Sequence, residues 1–244
     1  MTKTTKTVSA PSRKTPVKRA GKSDERVHLD LYAAIINHRI SPGTPLQEDA
    51  LAKAFGVSRT VIRKVLQRLS LEKLVEIVPN KGATVAKPTA DEAREVFEAR
   101  RVLERILVER VTANASDAGL EDLAGLAKLE ANASDKGHKK QRVKLSGDFH
   151  RKLAELAGNS VLAAFLTDLI SRTSLIIALY ESPGAVPCSH TEHREIAEVL
   201  KRRDARKAAQ FMDHHLQHIE AQLELSDSPV AADFSEIFKS RAKA

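Results

Sequence analysis

Two short helix-like segments separated by a tight turn constrain the fold of this 244-residue chain more than any other feature. Residues 47–55 and 58–69 both have helical character, and a Gly-Val pair lies between them. The second segment carries Arg59, Arg63 and Arg68. Two short helices joined by a tight turn, with a basic second helix, are the arrangement that places a recognition helix in the major groove of DNA. The segment therefore predicts a helix-turn-helix and sequence-specific DNA binding.

The second helix divides into a basic face and an apolar face. Arg59 and Arg63 are four residues apart and share one face, with Thr60 beside them near the helix N-terminus, where Ser58 is a candidate N-cap. Arginine is suited to bidentate contacts with guanine. The alternative is that these two residues and Arg68 are ordinary solvated charges. The opposite, core-facing stripe is predicted to hold Val61, Val65 and Leu69, with Ile62 and Leu66 beside it.

A β-hairpin is predicted directly behind the second helix. Two short β-type runs, residues 74–78 and 83–86, flank a Pro-Asn-Lys-Gly turn. A hairpin in this position is typical of the wing that accompanies some helix-turn-helix domains. Lys81 lies at its tip, where it could reach a phosphate or the minor groove.

The net charge of +8 is concentrated at the N-terminal end of the chain. Residues 1–23 contain seven Lys/Arg and no acid, residues 24–88 have a net charge of +3, and residues 89–244 have −2. We therefore expect nucleic acid to bind at the N-terminal end. The first segment lacks apolar periodicity and is predicted to be a disordered basic tail. It is either a solvated leader or an arm that adds phosphate contacts.

The rest of the chain carries only helical signals. Apolar residues make up 42% of the sequence and aromatic residues 4%, so the core must be built from Leu, Ile, Val and Ala. We expect a mainly α fold, in which residues 24–88 form an N-terminal winged helix-turn-helix with a small β-hairpin wing. Residues 89–225 are predicted to form a C-terminal all-α bundle of about six helices, and residues 226–244 to be weakly ordered.

Composition and motifs also favour some function classes over others. Cys188 is the single cysteine, which fits a reducing compartment, and no secretory leader or apolar run of roughly 20 residues is recognisable. We therefore expect a cytoplasmic protein without a membrane partner. No H-E-x-x-H, Gly-rich phosphate loop or nucleophile elbow occurs, so the chain is not expected to be an enzyme.

Residues 46–88 resemble the winged helix-turn-helix of the GntR superfamily. The similarity is carried by residues 46–66, LQEDALAKAFGVSRTVIRKVL, and by the wing sequence NKGATV at residues 80–85. The resemblance implies that Arg59, Thr60 and Arg63 contact double-stranded operator DNA, and that Lys81 and Gly82 meet the groove from the wing. This chain departs from the family pattern in two places. Asp49 stands where many members carry a basic DNA-contacting residue, and Val61 replaces the usual proline.

Residues 89–225 resemble the ligand-binding domain of the FadR subgroup of that superfamily. Three matching segments keep their order and spacing, namely residues 149–159, 192–196 and 215–216. The resemblance implies a transition-metal site, Zn²⁺ or Ni²⁺, with His150, His193 and His215 as ligands. Many members have an aspartate one helical turn before the first histidine, where this chain has Ser146. Because the serine supplies no carboxylate ligand, a coordination position on the metal would stay open for water or an effector.

The same resemblance implies a homodimer whose operator affinity is controlled by a small organic acid. Arg100 is similar to a family arginine that faces the ligand cavity, and Arg172 is a second candidate for the effector carboxylate. The alternative for both arginines is a helix-surface ion pair. Repression is the commoner family mode. Two other functions remain open, a DNA-binding protein whose bundle only dimerises and a three-histidine metalloenzyme.

Overall fold

The structure, a computed structural model, describes residues 20–79, 82–181 and 191–225, without the side chains of residues 20–23 and 139–140. Several sequence predictions lie outside the described residues. They concern Lys81, Cys188, residues 1–19 of the predicted disordered tail and the segment after residue 225. Residues 20–23 of that tail belong instead to the first helix.

The N-terminal part is a winged helix-turn-helix, as predicted. Its elements are α1 (Ala20–Ile36), α2 (Glu48–Phe55), α3 (Arg59–Leu71), β1 (Val75–Val78) and β2 (Gly82–Val85). The Ser58 hydroxyl accepts the Val61 N–H at 3.4 Å and so caps α3. The two strands pair antiparallel, from Val75 opposite Val85 to Val78 opposite Gly82. The turn between α2 and α3 uses Gly56 in the left-handed conformation, with φ 63°.

The apolar face of α3 differs by one position from the predicted stripe. Val61 is only half-buried, whereas its neighbour Ile62 has no exposed surface. Val61 lies in the first turn of α3, and Ile62 is the position that joins the core shared with α1 and the hairpin. The residues of α3 that are buried are Ile62, Val65, Leu66 and Leu69.

A bundle of six helices follows in the described part of the chain, as predicted. These are α4 (Ala90–Asn114), α5 (Asp117–Asp135), α6 (Lys139–Leu156), α7 (Ser160–Tyr180), α8 (Glu192–Lys201) and α9 (Ala205–Ala221). The helices α4, α5, α7 and α9 each begin at a side-chain cap, formed by Thr89, Ser116, Asn159 and Asp204. The last three helices end at residues 180, 201 and 221, two to four residues before the ends at 182, 203 and 225 that the apolar pattern predicts.

Helix α7 joins the two parts of the molecule. Leu175 belongs to the core of the winged domain, whereas Leu166, Ile170 and Ile176 belong to the core of the bundle. The helix has 21 residues, and an 18-residue stretch of it has a mean hydropathy of 1.7, so by length and composition it could span a membrane. The sequence expectation that no run approaches that length was therefore wrong. The burial of these four side chains instead identifies α7 as a core helix.

Hydrogen bonds from α7 also hold the winged domain against the bundle. Ser174 Oγ donates to the carbonyl oxygen of Ile36 at 2.9 Å, and His38 Nε2 lies 2.9 Å from the carbonyl oxygen of Ser174. Tyr32 Oη and Ser171 Oγ are 2.7 Å apart. The end of α1 is thus tied to one turn of α7.

Candidate functional site

The fold brings three histidines from three helices into one buried cluster. His150 lies on α6, His193 on α8 and His215 on α9, and each has at most 2% of its surface exposed. One nitrogen of each ring lies within 4.8 Å of the corresponding nitrogens of the other two. His150 Nε2 and His193 Nε2 are 3.2 Å apart. These are the three histidines that the resemblance implied.

Each imidazole in the cluster is held from outside by a carboxylate. His150 Nδ1 lies 2.5 Å from Glu104 Oε2, His215 Nδ1 lies 2.7 Å from Glu192 Oε2, and His193 Nδ1 pairs with Glu130. A carboxylate at Nδ1 makes that nitrogen the protonated one and leaves the lone pair on Nε2. The three rings are therefore arranged with their Nε2 atoms available to one shared ligand.

The protonation states of the cluster suit metal binding. Burial lowers the pKa of His215 to about 4 and that of His150 well below its ordinary value, so both rings are neutral at physiological pH. The Nε2 atom of His215 is buried and has no hydrogen-bond partner among the described residues. An orphaned imidazole nitrogen beside two other imidazoles is the donor set expected for a bound transition metal. The residues present therefore fit Zn²⁺ or Ni²⁺.

Glu104 connects this cluster to Arg100. Both side chains are buried, and Arg100 Nε donates to Glu104 Oε1 at 2.8 Å. Burial by itself would raise the pKa of Glu104, yet the charge of Arg100 and the hydrogen bonds from His150 and Arg100 hold it at about 2. Arg100 Nη1 also reaches Thr173 Oγ1 of α7 at 3.4 Å.

The three carboxylates were not among the residues predicted from the sequence. Two of them had a local signal. Glu192 directly precedes His193, and Glu104 lies one helical turn after Arg100 on a helix face that is otherwise apolar. Glu130 gave no such signal, because its partner His193 is 63 residues away.

A small pocket that opens to solvent adjoins the histidine cluster. Arg100, Ser146 and His150 line it, together with residues of α1, α7 and α9. The predicted effector residues Arg100 and Ser146 thus lie together beside the candidate metal ligand. Arg172 does not line this cavity. It lies 3.7 Å from Glu92 at the surface between α4 and α7, because its position on α7 faces away from the interior.

The predicted DNA-contacting residues of α3 form an exposed face. Thr60 is exposed, and the side chains of Arg59 and Arg63 are 60% and 59% exposed. Arg59 Nε lies 3.0 Å from Asp49 Oδ1, and Arg63 Nη2 lies 2.8 Å from Glu48 Oε2. The start of α2 therefore holds both guanidinium groups in place through surface carboxylates.

Arg68 lies on another side of the same helix. It is nine residues after Arg59, which is about half a turn around the helix axis. Its guanidinium pairs with Glu25 of α1 at 2.6 Å and with Glu72 at 3.3 Å. The structure thus does not bring Arg68 together with Arg59 and Arg63. Gly82, at the start of β2, is exposed and has φ 88°, which favours glycine.

Comparisons with known proteins agree with this architecture. Residues 24–85 match the bacterial regulatory proteins of the GntR family, and residues 95–218 match the FCD domain. The chain is 28% identical to the HTH-type transcriptional regulator YdhC of Bacillus subtilis, an alignment that covers 77% of this chain and 85% of that protein. It is also 28% identical to the HTH-type transcriptional repressor NanR of Cronobacter sakazakii, over 81% of this chain and 84% of that protein.

A solved structure extends the comparison to the fold. The crystal structure of a GntR transcriptional regulator from Rhodococcus sp. RHA1 superposes with a TM-score of 0.73 at 25% identity. The superposition covers 82% of this chain and 97% of that one. The chain thus belongs to the GntR family of bacterial regulatory proteins, carries an FCD domain behind its winged helix-turn-helix, and is a transcriptional regulator and not an enzyme.

Proposed function

We propose that this protein is a homodimeric cytoplasmic repressor whose affinity for a palindromic operator is controlled by a small organic acid bound in the helical bundle. The observation that carries the proposal is the junction of two features at His150. The histidine cluster and the cavity with Arg100 share that residue, so one ligand can touch both. Repression is the mode named for the relative NanR.

Operator recognition is assigned to the exposed face of α3. Arg59 and Arg63 lie one turn apart on that face, with Thr60 beside them, and arginines of a recognition helix read guanine through bidentate hydrogen bonds. Lys81 and Gly82 are proposed to contact the adjacent groove from the wing. Arg68 is assigned to domain stability instead, because Glu25 and Glu72 hold it against α1.

A mobility-shift assay on the DNA upstream of the protein's own gene tests this assignment. We expect the double variant Arg59→Ala, Arg63→Ala to lose about thirtyfold or more in operator affinity, since each base-reading arginine contributes about 1–3 kcal/mol. Arg68→Ala is the matched control, which should bind the operator as the wild type does. Unchanged binding by the double variant would refute the recognition face.

The metal is proposed to be held by Nε2 of His150, His193 and His215. FCD domains commonly bind metals. When bound, it supplies a Lewis-acidic position for an effector carboxylate. Arg100 would take the same carboxylate through its guanidinium, and Ser146, one turn before His150 on α6, would donate a hydrogen bond to the effector or to a water. The chain's own residues thereby orient one end of the acid.

Thermal unfolding of chelator-stripped protein, with and without added Zn²⁺ or Ni²⁺, tests the metal assignment. A ligand present at a hundredfold excess over its Kd stabilises the folded state by about 2.7 kcal/mol. We expect the melting temperature to rise with metal in the wild type and not in His193→Ala. His214→Ala is the control, because His214 is exposed. If no metal changes the wild-type melting temperature, the histidines are polar groups of a metal-free pocket.

Dimerisation is assigned to an apolar stripe on α4. Val102 and Ile106, one helical turn apart, are 62% and 43% exposed. Glu98 and Arg105, also exposed, lie four residues before and three residues after Val102. A twofold axis beside Val102, midway between positions 98 and 105, would pair two α4 helices antiparallel and set Glu98 of each protomer opposite Arg105 of the other. Because the stripe is complementary to itself in this arrangement, we propose that a second copy of the chain covers it.

Light scattering on variants tests this interface. Val102→Asp should give monomers and weaken operator binding, because a monomer occupies one half-site. Glu98→Arg and Arg105→Glu should each weaken the dimer, and the double charge reversal should restore it. A double variant that is no better than the single ones would refute the antiparallel pairing. The alternative function, a bundle that only dimerises, is favoured if the dimer forms and no acid or metal binds.

A further inference from the structure

We infer that Ile36, a residue of the winged domain, forms one wall of the effector pocket, so that an acid anchored at Arg100 touches the DNA-binding domain directly through an aliphatic end. This role rests on the proposed effector site. It gives that site a residue that limits the length of the acid, and a contact through which binding reaches the recognition helix.

The pocket beside the histidine cluster is lined by both parts of the molecule. Most of the lining comes from the bundle, including Arg100 of α4 and Ile177 of α7. Among the residues that the structure describes, Ile36, the last residue of α1, is the one member of the winged domain in this lining. It also belongs to the apolar core of that domain and is 5% exposed. The domain core and the pocket therefore share one residue.

Two neighbouring residues of α7 place Ile36 close to Arg100. Arg100 Nη1 donates to Thr173 Oγ1 at 3.4 Å. The next residue, Ser174, donates from Oγ to the carbonyl oxygen of Ile36 at 2.9 Å. Successive residues of an α-helix are about 100° apart around its axis, so the two contacts lie on either side of one narrow stripe of α7.

The stripe between these two contacts is apolar. Ile170 and Ile177 lie one turn before and one turn after the pair of Thr173 and Ser174, in directions between those of the pair, and both isoleucines line the pocket. The hydroxyls of Thr173 and Ser174 already donate to backbone carbonyl oxygens. A ligand that crosses this stripe from the guanidinium to the end of α1 therefore meets apolar side chains, which favours an aliphatic chain.

A contact at Ile36 reaches the recognition helix because α1 packs on α3. Leu31 and Ile35 of α1 share one apolar core with Ile62 and Leu66 of α3. Close-packed side chains of this kind transmit a displacement instead of absorbing it. An acid that holds or displaces the end of α1 therefore changes how α1, and α3 with it, lies against the bundle.

Hydrogen bonds dock the end of α1 on α7 around this contact. Tyr32 Oη lies 2.7 Å from Ser171 Oγ, and His38 Nε2 lies 2.9 Å from the carbonyl oxygen of Ser174. Polar interfaces between domains of one chain commonly permit relative motion. An acid that packs on Ile36 binds one arrangement of the two domains more tightly than another, which is the requirement for control of operator affinity.

A size-matching experiment on the full-length, metal-supplemented protein tests this role. The probes are the saturated monocarboxylates from acetate to octanoate, titrated by calorimetry. In the wild type we expect affinity to rise about fourfold for each methylene added, until the chain meets Ile36, and then to fall. Ile36→Ala removes most of that wall and should make the best acid about one or two carbons longer. Ile36→Phe should make it shorter.

Ile35→Ala is the matched control. Ile35 is the same residue type on the same helix, is buried in the same core and does not line the pocket. This variant should keep the chain length that the wild type prefers. Circular dichroism melts establish that each variant is folded, and the two valine variants replace the alanine pair if either does not fold.

Operator titrations with the same acids test the link to DNA binding. The acid that fits the wild type best should change operator affinity less in Ile36→Ala than in the wild type. The longer acid that fits Ile36→Ala should restore the full change. Restoration by a longer acid would not occur if the substitution had only weakened the fold of the winged domain.

The possible results separate this role from the proposed function. If acids bind with the same best length in the wild type, Ile36→Ala and Ile36→Phe, the role of Ile36 is overturned and the organic-acid site stands. An equal shift in Ile35→Ala also overturns it, because the shift would then come from a loosened domain. If no acid of the series binds while the operator is still recognised, both this role and the organic-acid effector are refuted.

Discussion

Glu104 Oε2 lies 2.5 Å from His150 Nδ1, while the other oxygen of the same carboxylate accepts a hydrogen bond from Arg100. One buried carboxylate therefore orients both the candidate metal ligand and the candidate effector anchor. A shift of Arg100 on effector binding would therefore be transmitted to the His150 imidazole through the side chain of Glu104.

Glu104→Gln should weaken metal binding by about 10–100-fold, the usual effect of losing a carboxylate that orients a ligating histidine. The neutral amide no longer enforces the tautomer with the proton on Nδ1. Zn²⁺ competition with a chromogenic chelator measures the change. Glu109→Gln, an exposed carboxylate on the same helix, should bind Zn²⁺ as the wild type does. Equal affinities in the two variants would mean that Glu104 acts only on Arg100.

The chelator-stripped protein should lose stability as the pH falls from about 6.5 towards 4. Burial lowers the pKa of His215 to about 4, below the value of about 6.5 for an unfolded histidine. Between these values the unfolded chain binds a proton that the folded chain does not, so acidification favours unfolding. This difference in the pKa of His215 corresponds to a loss of about 3 kcal/mol at most in the free energy of unfolding.

Urea unfolding at a series of pH values measures this effect. The free energy of unfolding should change less steeply with pH in His215→Gln. In His214→Gln it should follow the wild type, because His214 is exposed. Below pH 4.5 a further loss is expected as Glu104, with its pKa of about 2, becomes protonated in the unfolded chain first. A flat stability profile between pH 6.5 and 4 would show that the buried histidines are not neutral.

Asp49→Asn should strengthen operator binding several-fold at low salt. Asp49 holds Arg59 at 3.0 Å and is itself 74% exposed on the side where phosphates would approach. The substitution frees the Arg59 guanidinium and removes a negative charge that would repel the DNA backbone. Breaking an exposed ion pair costs only about 0.2–1 kcal/mol.

Fluorescence anisotropy with labelled operator, repeated over a salt series, checks this prediction. Asp91→Asn carries the same charge change on α4 and serves as the control. Weaker binding by Asp49→Asn would indicate that the ion pair positions Arg59 for the operator.

Ser174→Ala should reduce the response of operator affinity to the effector. Ser174 lines the cavity and donates to the carbonyl oxygen of Ile36, so it contacts both the ligand space and the winged domain. Removing the hydroxyl should lower the coupling between the two sites while each ligand alone binds nearly as before.

Operator titrations with and without an organic acid that raises the melting temperature of the protein measure the coupling. Thr167→Ala is the matched control, because its hydroxyl bonds to the carbonyl of Ala163 within α7. Full coupling in Ser174→Ala would place the communication elsewhere in the interface between α1 and α7.

Local sequence patterns predicted the elements of this protein. The cap at Ser58, the glycine at position 56 and the spacing of apolar residues in α3 act over one to two helical turns. The winged domain and the six helices of the bundle follow from such short-range signals. The three histidines were also assigned, although through the resemblance and not through periodicity, since their separation along the chain carries no local signal.

Tertiary packing decided which charges work together. Glu104 and His150 are 46 residues apart, and Glu130 and His193 are 63 apart, so no local pattern could pair them. Packing likewise turned Arg172 towards Glu92 and Arg68 towards α1, although the sequence does not distinguish them from the arginines that remain candidates. Helix-forming signals are local and survive in the sequence, whereas the burial and pairing of a charge depend on which helices meet around it.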